Sequence, residues 1–197
     1  MTTISTAIFG GSFNPIHNGH IAIARYVLRA TDIQSVWLMV SPQNPFKRCD
    51  ELLDDDSRMA IVRVAVQGMA GIEACDYEMR LPRPSYMCAT LRSLRETMPE
   101  RTFTLLIGAD NWLRFNDWQA HDDILRHHDI LVYPREGSDI DGQSLPPNVT
   151  LIHTPLINVS STCIRRRIAQ HEDISGLVPE SVRDLITESY GEGYPRQ

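Results

Sequence analysis

The sequence predicts an open α/β fold: a doubly wound parallel sheet with helices on both faces and further helices toward the C-terminus. Three observations predict it. Short apolar runs with few charges recur along the chain, as strands buried on both faces require. Stretches whose apolar residues fall at helical spacing lie between them. The first apolar run passes through a glycine-rich turn straight into a helical pattern, the strand–turn–helix order of a parallel crossover.

Taken in order, the strand candidates are Ile4–Phe9, Val36–Val40, Ile72–Ala74, Phe103–Ile107, Ile130–Tyr133 and Thr150–His153. The helix candidates are Gly19–Arg29, Asp56–Gln67, Ser85–Glu96, Asn111–Asp117 with a continuation toward Leu125, Ser161–Gln170 and Pro179–Ser189. In the second, Met59, Val62, Arg63 and Val66 share helical spacing, and Gly68 marks a stop. The 197 residues suit a single domain over 1–197 with a helical segment at about 160–190. There are no internal repeats. Ser41–Asp55 and Glu136–Asn148 are the most loop-like stretches, the second rich in Gly, Pro and Asp.

Charge and cysteine usage narrow the classes. The formal net charge is −6, and the only basic cluster is Arg165-Arg166-Arg167. A nucleic-acid partner needs a broad basic face, so none is expected. Small anionic substrates remain compatible, because a local positive pocket can sit on an acidic protein. Cys49, Cys75, Cys88 and Cys163 form no C-x-x-C pair, which points to reduced thiols rather than zinc or a disulfide framework. The N-terminus lacks the charged start and apolar core of a signal peptide, and no run approaches a membrane span, so a cytoplasmic protein with no membrane partner is expected.

The stretch around which the chain is organised is Gly10–His20, GGSFNPIHNGH. Paired glycines let backbone N–H groups approach an anion, and the following helix start adds unpaired N–H groups and partial positive charge. His17 and His20 can donate to phosphate oxygens, with side-chain pKa values expected near working pH. The stretch is neither a P-loop nor the G-x-G-x-x-G dinucleotide fingerprint. A His-x-x-His metal pair has no matching Cys or His cluster nearby. A plain Gly-Pro turn with two surface histidines is the other reading.

Four further stretches carry chemistry-bearing residues. In Val159–Arg165, Ser160, Ser161 and Thr162 either cap a helix or turn N–H and hydroxyl groups toward a phosphate, with Arg165 as a forked donor. After the fourth strand, Gly108 permits close approach; Asp110 either accepts from ribose hydroxyls or caps a helix, and Trp118 either stacks on a flat ring or joins the core, the role better suited to Trp112 and Trp37. Arg83–Thr90 places Ser85, Tyr86 and Met87 at a helix start, where backbone N–H groups suit a carboxylate; Tyr86 can equally just pack. Ser41–Arg48 holds Lys47 beside Arg48, a loop able to cover phosphate charge or simply solvated. The turns at Gly10–His20, Ser41, Gly108–Asp110 and Asn158–Thr162 all follow strands, so a parallel sheet would gather them at its carboxyl edge.

GGSFNPIHNGH resembles the motif of nucleotidyltransferases with a His-x-Gly-His signature, and the chain is most similar to the bacterial branch of that family acting on nicotinate mononucleotide. The similarity runs from Ala7 to the late helix around Leu177–Val182. It implies a Rossmann-like nucleotidyltransferase fold and transfer of AMP from ATP to nicotinate mononucleotide, with Mg2+ accompanying ATP; no residue is assigned as a metal ligand, and the metal-coordinating groups are left open. It implies His17, His20, Lys47 and Arg165 as catalytic. ATP would be held by Gly10, Gly11, Ser12, Phe13, His17, His20, Gly108, Asp110, Ser160, Ser161, Thr162 and Arg165. The nicotinate nucleotide would be held by Ser12, Asn44, Ser85, Tyr86, Met87, Asp110 and Trp118. Asn14 stands where Asp is common, Val159 where Ile is, Met87 where Thr is, and Phe46 where His is; Asn14 is assigned no acid–base role. Nicotinamide mononucleotide and phosphopantetheine are the alternative acceptors, a non-catalytic nucleotide-binding module is the alternative class, and homo-oligomerisation is left open.

Overall fold

The structure, a computed structural model, describes residues 3–42, 52–154, 159–191 and 194. Its described strands form one parallel sheet, and each is a run that reads as apolar in the sequence. They are β1 (Ile4–Gly11), β2 (Ser35–Val40), β3 (Ile72–Cys75), β4 (Arg101–Gly108), β5 (Ile130–Tyr133) and β6 (Val149–Leu151). Their spatial order is β3-β2-β1-β4-β5-β6, every neighbouring pair parallel. The order reverses between β1 and β4, and the crevice of such a sheet opens there, beyond the carboxyl ends of those two strands. Gly11 ends β1 and Gly108 ends β4.

Both faces are covered, as the uncharged strands require. Ala7 and Phe9 of β1 enter one apolar cluster, together with Val62, Ile164 and Ile186 from α2 (Asp55–Val66), α6 (Ser161–Ala169) and α7 (Arg183–Ser189). Ile8, the residue between them, enters the other cluster with Leu91 of α3 (Met87–Thr97) and Ile124 of α5 (His121–His127). Helix α1 (Asn18–Ala30) buries Ile21, Ala24 and Val27 on the first face. Helix α2 stops at Gln67 and is followed by Gly68 at φ +75°, a left-handed turn that glycine adopts without steric cost.

Two expectations need correction. The helix expected over Asn111–Asp117 and on toward Leu125 is three pieces: α4 (Ala109–Trp112), a 3₁₀ turn Phe115–Asp117, and α5. Phe115 is fully buried with Trp112 and Trp118 at 5.2 and 5.4 Å between ring centroids, and Ala120, at φ 50°, breaks the path before α5. Packing around one ring, rather than propensity, sets this segment. The last helix candidate begins as a 3₁₀ turn, Glu180–Val182, before α7. Cys75, Cys88 and Cys163 are free thiols, and Cys49 lies outside the described residues. No helix among the described residues is long and apolar enough to cross a membrane.

Candidate active site

The turn after β1 is shaped from within. Phe13 has a left-handed backbone, φ 42°, which costs a bulky residue about 1–2 kcal/mol and persists only where packing over-determines it. That packing is visible: the buried Phe13 ring meets Phe9 at 5.9 Å and His20 at 4.9 Å, both edge to face. The His17 and His20 rings stack at 3.6 Å. The His17 backbone N–H donates to Nδ1 of His20 at 3.2 Å, so in the neutral ring Nε2 of His20 carries the hydrogen.

His17 departs from expectation. It is 4% exposed, and its Nδ1 is buried with no hydrogen-bond partner among the described residues. Burial, and secondarily the positive Arg135 nearby, hold its pKa down to about 3. The ring is therefore neutral in the ligand-free protein, not poised at working pH. A buried, unpaired ring nitrogen costs free energy that an incoming hydrogen-bonding ligand would recover.

The late segment is stitched onto this turn. Nη1 of Arg165 donates to the Asn14 carbonyl at 2.8 Å, and Oγ of Ser161 donates to the Pro15 carbonyl at 2.9 Å. Asn18 donates through its backbone N–H to Leu177 O at 2.8 Å and through Nδ2 to Gly176 O at 2.8 Å. Ser160 is the N-cap of α6, its Oγ accepting from Cys163 N at 3.2 Å; this is the capping alternative of the sequence reading. Thr162 and Arg166 are exposed, and Arg165 and Arg167 half-buried. The imidazole pair and Arg165 thus flank one loop.

Across the crevice, Gly108 leaves room that nothing larger could use. A Cβ there would run into Asp110 Oδ1 and come within 3.1 Å of both Arg135 and Tyr133. Asp110 sits inside α4 rather than capping it, the N-cap being Gly108, and its carboxylate faces Nε of Arg135 at 3.5 Å. At the third side, a Cβ on Gly10 would lie 2.8 Å from Cε of Met87, so the glycine turn touches the start of α3. Tyr86 gives that helix no side-chain cap, leaving first-turn N–H groups for another acceptor. Ser85 is buried beside them. Glu78, also buried, accepts from Ser41 Oγ at 2.5 Å and Thr90 Oγ1 at 3.5 Å; burial pushes its carboxyl above the ordinary range. Trp118 is half-buried against Phe115.

Two residues that sequence reasoning passed over, Arg135 and Arg58, and one that it left without a role, Asn14, are part of this construction. Arg135 lies two residues beyond β5, where the strand-end logic applied to β1, β2, β4 and β6 would have found it. Arg58 is fully buried: Nε donates to Leu53 O at 2.8 Å, Nη1 to Ser12 O at 2.6 Å and to Ser41 O at 3.0 Å, and Nη2 pairs with Asp55. Its signal was its place beside Met59 and Val62 on the apolar stripe of α2. Asn14 has no charge role but is a hub: Oδ1 accepts from Tyr190 OH at 2.8 Å and Leu53 N at 3.1 Å, and Nδ2 donates to Tyr194 OH at 3.0 Å. Lys47 and Asn44 lie outside the described residues.

A fold of this topology with paired imidazoles, glycine and arginine at the switch point defines a class, and comparison with known proteins agrees. The cytidylyltransferase-like family model matches residues 8–167, and the chain belongs to that family of nucleotidyltransferases. A protein of Bacteroides thetaiotaomicron, named "Probable nicotinate-nucleotide adenylyltransferase", is 43% identical over 185 residues, 94% of this chain and 92% of the relative. One of the same name from Bacteroides fragilis is 44% identical over 174 residues, 88% of this chain and 87% of the relative. Within the family the chain is therefore a member of the nicotinate-nucleotide adenylyltransferases. The structure of Plasmodium falciparum nicotinic acid mononucleotide adenylyltransferase complexed with NaAD shares the fold, with a TM-score of 0.79 at 19% identity, covering 94% of this chain and 95% of that one.

Proposed function

We propose that the protein transfers the adenylyl group of ATP to nicotinate mononucleotide, giving nicotinate adenine dinucleotide and pyrophosphate. The observation that carries the reading is the meeting of three segments at one crevice: the glycine–histidine turn, the uncapped start of α3 touching Gly10 through Met87, and the Gly108–Asp110–Arg135 corner. The 5′-phosphate oxygen of nicotinate mononucleotide attacks the α-phosphorus of ATP in line, the new P–O bond forming as the bond to pyrophosphate breaks. A phosphate is already deprotonated, so no protein base or nucleophile is required, and rate comes from positioning and from donors aimed at developing charge. His20 donates from Nε2, and His17 gains the partner its buried Nδ1 lacks. Arg165 and Arg135 bring positive charge from opposite sides, while Ser12, Phe13, Gly10 and Gly11 shape the turn against the phosphates. The backbone N–H groups at Tyr86 and Met87 take the nicotinate carboxylate, with Ser85 beside them. Trp118 offers a face to the pyridine ring, and Asp110 accepts from ribose. Lys47, Asn44, Ser160, Ser161 and Thr162 keep the roles the family resemblance implies.

Among the described residues no cluster of three or more His, Cys, Asp or Glu is available to cage a metal. Magnesium would enter with ATP and would supply charge that neutralises the leaving pyrophosphate.

A pyrophosphate-release assay with nicotinate mononucleotide, nicotinamide mononucleotide and phosphopantetheine as separate acceptors tests the substrate assignment; the acid is expected to give the highest kcat/KM. His20→Ala is expected to keep the fold and lose about 10²–10³ in kcat, the cost of one preorganised donor. Near-normal turnover in that variant would reject the site.

A further inference from the structure

The opposite edge of the sheet carries a second feature that the adenylyl-transfer site does not use. A cleft of about 500 Å³ opens at the amino ends of the central strands, lined by Ser5 of β1, Arg101–Thr104 of β4, Arg95 of α3, Arg126 and His127 of α5, and His128, Asp129 and Asn148. β4 runs eight residues from Arg101 here to Gly108 at the nucleotide end, about 23 Å at the usual rise per residue. The two places are therefore separate.

Three arginines from three elements face this cleft against one lining carboxylate, Asp129, in a chain where 25 acidic residues outnumber 19 basic ones. Arg101 is preorganised: Nη1 donates to Thr6 Oγ1 at 2.9 Å, and its guanidinium carbon stands 4.8 Å from the centre of the Trp37 ring. The Arg95 side chain has no hydrogen bond or ion pair among the described residues. Among the described residues Arg126 approaches only Asp123, at 4.0 Å, and that carboxylate is already bonded by Arg92 at 2.9 Å and faced by His127 at 3.2 Å. The wall between them is rigid. Nδ2 of Asn148 bridges Leu125 O at 2.7 Å and His128 O at 2.8 Å, and the buried His128 donates from Nδ1 to Phe103 O at 2.9 Å. Nε2 of His128 is then the remaining polar atom of a ring fixed in place.

We propose that this cleft is a second anion site, one that binds the phosphoryl group of a small phosphorylated molecule. Planar guanidinium forks match phosphate oxygens bidentately, and the cavity volume falls within the range of small-molecule sites, larger than one phosphate needs. A bound dianion stabilises the imidazolium form of His128. Unliganded, that form is disfavoured first by burial and then by Arg95 and His127, against the Phe103 carbonyl and Asp123, which favour it.

Ring-resonance NMR of the histidines reads both ends of the molecule separately, His20 at the nucleotide end and His127 and His128 here. Pyrophosphate and AMP are added as separate probes, which distinguishes a polyphosphate from a nucleoside monophosphate. At least one is expected to move the His127 and His128 signals saturably and raise the His128 titration midpoint. Arg95→Glu with Arg126→Glu is expected to weaken that response at least tenfold while kcat and KM in adenylyl transfer stay unchanged; Arg126→Ala, a change at an exposed side chain, serves if the charge reversals disturb folding. Stationary His127 and His128 signals at probe concentrations that saturate the His20 response would overturn the proposal. So would a response that survives the substitutions.

Discussion

The neutral state of His17 gives the sharpest check on the site. With its pKa held at about 3 by burial and by Arg135, the ring is about 1% protonated at pH 5, where a histidine at the ordinary value of 6.5 is about 97% protonated. Histidine NMR on the ligand-free protein from pH 7 to pH 4 should show a His17 ring that stays neutral. Arg135→Gln removes only the second cause, so the midpoint should rise and still lie below 6.5. Bound ATP brings negative charge and should raise it further. Folding stability carries the same signature. The folded pKa lies below the unfolded one, so the unfolded chain takes the proton more readily. The contribution is whole above pH 6.5 and is lost as pH falls toward 3, at up to about 1.4 kcal/mol per pH unit and a few kcal/mol in all. His17→Asn should flatten the urea-derived stability over that window. A His17 midpoint near 6 without ligand would refute the reasoning.

Three substitutions probe the frame around the crevice. Gly108→Ala keeps an acceptable backbone but forces Asp110, Arg135 and Tyr133 apart; it should cost about 1–3 kcal/mol in thermal unfolding and raise the KM for ATP. Arg58→Met strands the carbonyls of Ser12, Ser41 and Leu53 and leaves Asp55 with Arg83 alone, so urea unfolding should register a loss of about 3–5 kcal/mol. Asn14→Ala leaves Tyr190 OH and Leu53 N without their acceptor and should cost about 1–3 kcal/mol, whereas Asn14→Asp keeps an oxygen there and should fold with near-normal stability.

What was legible in the chain was whatever acts locally. Strand runs such as Val36–Val40 are apolar because both faces are covered, and that pattern needs no knowledge of the partners. The glycine–histidine turn was legible because its residue types are unusual together. The broken helix after Gly108 was not: Phe115, Trp112 and Trp118 have helical spacing, but they pack as a cluster, which only the third dimension reveals. Arg58 was hidden for a related reason, since an arginine on an apolar stripe is ordinarily excused as reaching water, and here its acceptors come from Ser12 and Ser41, far away in sequence. The charge state of His17 depends first on its burial in the folded chain and second on Arg135, more than a hundred residues distant, so no inspection of GGSFNPIHNGH alone could have set it.

The stitches between Asn14, Pro15 and Asn18 and the segment from Ser161 to Tyr190 bear on how the protein is made. On the ribosome the loop emerges first, and Ser161, one of the groups that hold it, lies 146 residues beyond Pro15. A nascent chain halted before Ser160 could already assemble β1 to β5, yet its loop would lack Arg165 and Tyr190 and face the full entropy of staying open. Competence for nucleotide should therefore arrive abruptly once the segment from Ser161 to Tyr190 has emerged, so that a shorter nascent chain does not sequester ATP.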